Sequence, residues 1–172
     1  NSWGVGTKLT TAYDQPALGG VYKLAAKRET ADSEWQDCIK VSGQAVKLTT
    51  PGVLDVRRYF HEDGRLAGDM VFDINHGVER ERIVDPADEI RQKSLAGLAY
   101  TTLLEPIVRS GKRVVDSSFG NAMEARERCR EQLDLLDESQ KRILNPHSYP
   151  VGLEYGLFHR RHKLVSDMLG NS

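Results

Sequence analysis

Two β-type runs joined by an Asp-Gly turn constrain this chain more than any other feature. Residues 53–60 (VLDVRRYF) and 66–74 (LAGDMVFDI) are rich in residues that suit a pleated surface, and Asp63-Gly64 stands between them. Asp-Gly tolerates the left-handed backbone of a tight hairpin, so the segment predicts two antiparallel strands. Further β-type runs surround it at 19–24 (GGVYKL), 38–42 (CIKVS) and 98–108 (LAYTTLLEPIV). Turn signals separate them at Ser42-Gly43-Gln44, at Pro51-Gly52, and at Ser110-Gly111-Lys112, which leads into Arg113-Val114-Val115 as a second hairpin. Residues 75–92 are polar, contain Pro86, and read as a connector with one short helical turn at 87–92.

From Ser118 the period changes from two to between three and four. Ala122, Ala125, Cys129, Leu133 and Leu136 make one apolar stripe, and Ser117 or Ser118 suits the cap of a helix beginning there. A short helix is expected at 138–144, stopped by Asn145-Pro146. A last helix is expected at 154–169 with Leu157, Phe158, Val165, Met168 and Leu169 inward and Gly170 as its C-terminal cap. The pattern is that of an α+β fold: an antiparallel β-rich region followed by C-terminal helices. Three stretches are distinguished: 1–24, rich in Gly turns; 25–116, β-rich; and 117–172, helical.

Composition narrows the function classes. The 172 residues carry 24 Lys and Arg against 25 Asp and Glu, so bulk charge gives no basic surface for nucleic acid. No stretch approaches the roughly 18 apolar residues of a membrane helix. The opening NSWGVGTKLT lacks the basic and apolar blocks of a secretory signal, and a chain opening without Met on a turn-rich stretch suggests a piece of a larger fold. Cys38 and Cys129 belong to no CxxC pair, which gives no zinc signature. They read as two free, buried thiols of a reducing compartment, with a disulfide as the alternative.

One segment carries recognisable anion chemistry. In Trp3-Gly4-Val5-Gly6-Thr7-Lys8 the two glycines let successive backbone N–H groups turn toward an anion without a Cβ in the way, Thr7 adds a hydroxyl and Lys8 a charge. An ordinary tight turn would look the same, since the motif lacks both the Rossmann spacing and a P-loop's Gly-Lys-Ser/Thr. Asp14, before Pro16, fits a metal or ribose ligand or a turn cap, and Gly19-Gly20 a close approach or a flexible strand start. Lys40, Lys47, Arg57 and Arg58 read as a phosphate-facing set or a solvated sheet face. The run from His159 through Arg160, Arg161 and His162 to Lys163 reads as a solvated helix face. His61, His76 and His147 have no nucleophile or metal-ligand spacing, with His76 expected at the surface and His147 in a rigid loop between Pro146 and Pro150.

The motifs together resemble the C-terminal part of the nicotinate phosphoribosyltransferase family. Residues 2–24 (SWGVGTKLTTAYDQPALGGVYKL) carry most of the likeness. Lys40-Val41-Ser42, Thr50-Pro51-Gly52, Val56-Arg57-Arg58, Leu103-Leu104-Glu105-Pro106, Gly111-Lys112-Arg113-Val114 and Asn145-Pro146-His147-Ser148-Tyr149-Pro150-Val151 support it. The resemblance implies the C-terminal portion of an α/β-barrel-type phosphoribosyltransferase that joins nicotinate to phosphoribosyl pyrophosphate. It also implies coupled ATP hydrolysis, Mg²⁺ assistance, a homodimeric parent and a cytoplasmic site of action in NAD biosynthesis. By the same resemblance Gly4, Val5, Gly6 and Thr7 hold the ribose 5-phosphate. The family's phosphorylatable His, its nicotinate-binding Arg and its ribose-contacting acid precede that turn. No catalytic residue is therefore expected in these 172, and the chain alone is expected to be inactive. A self-standing phosphate-binding or interaction module, or a nicotinamide or quinolinate phosphoribosyltransferase relative, is the alternative.

Overall fold

The computed structural model describes residues 6, 23–40, 49–115 and 120–170. Its centre is a six-stranded sheet in the order β6-β5-β10-β4-β3-β7. The strands are β3 (Leu54–Phe60), β4 (Leu66–Asp73), β5 (Arg82–Asp85), β6 (Asp88–Ser94), β7 (Ala99–Thr102) and β10 (Val151–Glu154). Two short ribbons stand apart, β1 (Ala26–Lys27) with β2 (Gln36–Asp37), and β8 (Val108–Arg109) with β9 (Lys112–Arg113). Helix α1 spans Ala122–Asp134 and helix α2 spans Tyr155–Gly170.

The Asp63-Gly64 hairpin forms as expected. β3 and β4 are antiparallel, Gly64 has φ +83°, and the His61 and Arg65 backbones close the turn at 2.8 Å. The second hairpin forms too, with Ser110 and Gly111 at φ +49° and +73°, the left-handed pair that a two-residue turn requires.

The region read as a connector is different. Residues 82–94 form the hairpin β5–β6 around Pro86, with no helical turn at 87–92. β5 is only four residues long, and β6 (DEIRQKS) is an edge strand exposed along most of its length. Neither shows the alternation that marks a half-buried strand. The apolar run 98–108 is strand only at β7 and at Val108 of β8; of the expected strand at 38–42, residues 38–40 follow β2 without being strand, and 41–42 lie outside the described residues. The expected strand 19–24 lies mostly outside the described residues.

The larger difference is β10. No strand was expected here, and Glu154 was expected to begin the last helix, yet β10 sits in the middle of the sheet, parallel to β4 and antiparallel to β5. The other described strand pairs of this sheet are antiparallel. Gly152 is what permits this placement, since a Cβ there would stand 2.7 Å from the Val84 carbonyl oxygen, which is backbone and cannot swing aside.

Neighbouring residues of each strand serve opposite faces. One face gathers Tyr59, Met70, Phe72 and Ile83, closed over by Leu95 and Leu98 from the β6–β7 turn. The other gathers Val84 and Leu153 beneath Leu157 and Phe158 of α2. The Glu154 side chain starts α2: Leu157 N donates to its Oε2 at 2.9 Å, while Glu79 N and Arg80 N donate to Oε1. Of the inward set expected for α2, Leu157 and Phe158 are buried, Val165 is half-buried, and Met168 and Leu169 are exposed. Gly170 is the last helical residue.

Helix α1 contradicts its stripe. It begins after Asn121, whose Oδ1 accepts Met123 N at 2.9 Å, and none of its residues is buried. Ser117 and Ser118 lie outside the described residues. Ala122, Ala125, Cys129 and Leu133 face solvent, and of the stripe only Leu136, past the end of the helix, is half-buried. Residues 138–144 are turns, not helix. Both thiols are free, but Cys38 is half-buried and Cys129 exposed, against the expectation that both are buried.

Replacing Gly152 by Ala should lower stability by about 1–3 kcal/mol, because the added methyl forces β10 away from β5. A fall in the urea midpoint with unchanged slope checks this. An unchanged midpoint would mean that β10 has room the structure does not show.

Candidate functional site

The strongest concentration of polar chemistry lies on β4. Asp69 and Asp73 fall four residues apart on one strand, so they share a face, the one that α2 covers. Both are buried, and a buried carboxylate requires cations and donors around it.

Asp69 is met directly across the hairpin by Arg58. Arg58 Nε donates to Oδ1 at 2.9 Å and Nη2 to Oδ2 at 2.6 Å, the two-pronged contact a guanidinium makes with a carboxylate. The Tyr149 hydroxyl donates to Asp69 Oδ1 at 2.8 Å. Arg58 Nη1 also donates to Gln132 Oε1 of α1, so one arginine ties helix, hairpin and loop together. The bond to Asp69 raises the Arg58 pKa against the opposing effect of burial. Burial first, and then the bond to Asp69, push the Tyr149 phenol well above the ordinary tyrosine range.

Asp73 is the centre of a second cluster. Arg160 of α2 donates from Nη2 to Asp73 Oδ2 at 2.9 Å and from Nε to Asp37 Oδ2 of β2 at 3.1 Å. His76 Nδ1 stands 2.8 Å from Asp73 Oδ2, and Asn75 N donates to Oδ1. Gly52, at φ +101°, presses so close that a Cβ would stand 2.5 Å from Asp73 Oδ2. Its N–H donates to the Ala25 carbonyl, which also accepts Cys38 N. This cluster therefore fastens the β1–β2 ribbon to the sheet and to α2.

The expected site residues fall as follows. Gly4, Val5 and Thr7 lie outside the described residues, as do Lys8, Asp14 and Lys47. Gly6 is exposed, with no described residue within 4 Å of where a Cβ would stand. Arg57 and Arg58 are not a solvated pair, because consecutive strand residues point to opposite faces. The Arg57 guanidinium is stacked between the rings of Phe72 and Tyr100, at 4.7 and 4.3 Å. Lys40 is exposed. The run 159–163 divides: His159, His162 and Lys163 face solvent, whereas Arg160 is paired and Arg161 is buried, with Nε donating to the Thr49 carbonyl at 3.4 Å. Burial lowers the Arg161 pKa. His61 and His76 are exposed, His76 as expected, and His147 N donates to Ser139 O in the proline-bounded loop.

Asp69, Asp73 and Glu154 were not singled out by the sequence, and Arg160 was read only as part of a solvated helix face. The available signal was two acids inside the apolar run LAGDMVFD, which can be tolerated on a core strand only if each has a partner. Among the described residues no group of three or more His, Cys, Asp or Glu could hold a metal ion. The described acids of β4 are each paired with an arginine, an arrangement that fixes structure.

The fold and its site thus define an α+β domain whose buried charges lock segments together. The family model described as the nicotinate phosphoribosyltransferase C-terminal domain matches residues 55–161, which run from β3 into α2, and the chain belongs to that family. It is 37% identical over 155 residues to nicotinate phosphoribosyltransferase of Bacillus subtilis (strain 168), covering 88% of this chain and 31% of that protein. It is 29% identical over 169 residues to nicotinate phosphoribosyltransferase of Caenorhabditis elegans, covering 95% of this chain and 29% of the relative. The chain therefore spans just under a third of the length of these curated relatives. The crystal structure of human nicotinic acid phosphoribosyltransferase superposes with a TM-score of 0.53 at 21% identity, over 68% of this chain and 24% of that one, which shows a common fold.

Two outcomes test the Asp69 cluster. Asp69→Asn should cost about 3 kcal/mol, since Arg58 is then left facing a neutral partner, and Tyr149→Phe about 2 kcal/mol; urea unfolding of the two variants measures both. The Tyr149 pKa is raised in the fold, so its contribution is complete below the ordinary tyrosine value of about 10 and is lost as pH climbs above it. An absorbance titration should show phenol ionisation delayed beyond that value, and Tyr149→Phe should flatten the alkaline loss of stability. Normal ionisation of every tyrosine would contradict the bond to Asp69.

Proposed function

We propose that this chain is the C-terminal domain of a nicotinate phosphoribosyltransferase. In that enzyme nicotinate and phosphoribosyl pyrophosphate give nicotinate mononucleotide and pyrophosphate in the cytoplasm, for NAD biosynthesis. The observation that carries the reading is the 37% identity to the Bacillus subtilis enzyme over 88% of this chain. The Gly4, Val5, Gly6 and Thr7 turn is the part assigned to substrate, as backbone donors for the ribose 5-phosphate. Stabilising charge as it develops on a ribose needs groups on several walls at once, and this chain supplies one. ATP and Mg²⁺ belong in this proposal to the whole enzyme, as does homodimerisation, and no step is assigned to them here. No described helix is long and apolar enough to cross a membrane.

The test joins this chain to the preceding portion of the Bacillus subtilis relative. Nicotinate mononucleotide should form from the joined protein in the presence of ATP and Mg²⁺, and none from the 172-residue chain alone. In the joined protein Gly6→Val should raise KM for phosphoribosyl pyrophosphate about tenfold or more, through loss of one or two charge-assisted hydrogen bonds. Turnover by the chain alone, or an unchanged KM, would overturn the assignment.

A further inference from the structure

Helix α1 is exposed along its whole length, with none of its residues buried. The two bonds that tie it to the sheet, Arg58 Nη1 to Gln132 Oε1 and Leu66 N to the Leu135 carbonyl, both lie at its C-terminal end. A helix of 13 residues is marginal in water by itself and owes most of its stability to a packed face. α1 has such a face in Ala122, Ala125, Cys129 and Leu133, yet no described residue buries it, and Leu133 is 51% exposed.

The charges around this stripe are sorted. At about 3.6 residues per turn, Arg126 borders it on one side and Arg128 on the other, while Glu124, Glu127, Glu131 and Asp134 fall on the far side. Arg130, beyond Arg126, leans back to Glu127 at 3.9 Å. Arg126 and Arg128 make no ion pair with any described residue. An apolar stripe bordered by unpaired arginines is complementary to an apolar surface bordered by acids. It is not complementary to itself, because two copies laid face to face set arginine against arginine whichever way they run.

The size of the stripe narrows the partner further. A stable contact between separate molecules takes about 800 Å² from each, and four side chains of one short helix supply far less. A covalently tethered partner needs less area, because the tether keeps it at high effective concentration. The matched stretch is 31% of the Bacillus subtilis relative and 29% of the Caenorhabditis elegans one, so each has more than two thirds of its length elsewhere.

We propose that the α1 stripe is the seat of the preceding portion of the same polypeptide, which meets Ala122, Ala125, Cys129 and Leu133 with an apolar surface and Arg126 and Arg128 with carboxylates. This rests on the reading of the chain as the C-terminal domain of a longer enzyme.

Cys129 reports on the contact. In the joined protein described above, the rate at which N-ethylmaleimide labels Cys129 is read by mass spectrometry of its peptide, in native buffer and in urea. Native labelling should be at least about tenfold slower, since it waits for the two parts to separate. Arg126→Glu combined with Arg128→Glu, both at exposed positions outside the core, should restore most of the urea rate. Mixing that variant with the unsubstituted protein should leave its Cys129 open. Native labelling as fast as in urea overturns the proposal, and so does protection that survives the double substitution. Protection regained on mixing overturns it in favour of a second copy, whose arginines would then meet glutamates. Nicotinate mononucleotide formation in the same sample separates the two readings: turnover with an open Cys129 removes the docking proposal alone, and a protected Cys129 without turnover removes the functional one alone.

Discussion

The sheet depends on one four-residue strand. β5–β6 is a hairpin, and β7, β3 and β4 form a second antiparallel unit. Among the described strands only β10 pairs along its backbone with both, with Asp69, Met70 and Val71 on one side and Ile83 and Val84 on the other. Without β10 the two units would expose their facing edges and neither would bury a two-sided core. The contact is so close that only glycine fits at 152, and the strand leads at once into α2, which covers Val84 and Leu153. A single insertion therefore joins the sheet and delivers the helix that roofs it.

The buried charges extend the same logic to the periphery. Glu154, the last residue of β10, holds both the start of α2 and the backbone at Glu79 and Arg80. Asp69 and Asp73 then fasten what the apolar core does not reach, namely α1 through Arg58 and Gln132 and the β1–β2 ribbon through Arg160 and Asp37. Such ion pairs contribute little net energy against desolvation, but removing one partner is costly. They specify which segments meet more than they raise stability.

Legibility in the sequence followed pattern length and turn chemistry. The β3–β4 hairpin was readable because Asp63-Gly64 names its own turn, and its register would have placed Arg58 opposite Asp69. β10 was not readable, since a short segment with Gly152 at its heart and buried neighbours on both sides shows no alternation. β6 failed for the opposite reason, being polar on both faces at a sheet edge. The stripe of α1 correctly announced a helix, but a stripe carries no information about what covers it. The Gly-rich turn was legible as anion chemistry and as a family motif, and the buried aspartates of β4 were not, because their arginine partners stand 11 and 87 positions away.

The order of the strands also sets the order in which the fold can be made. Synthesis releases the chain from its N-terminus, and long-range pairing waits for its last participant. Both hairpin units are complete by Thr102, but the strand that unites them arrives some fifty positions later, after β8–β9 and α1. A nascent chain thus carries two unfinished sheets with open edges across a long stretch of translation. Any shortening from the C-terminus that removes residues 151–154 takes away the centre of the molecule and not its end.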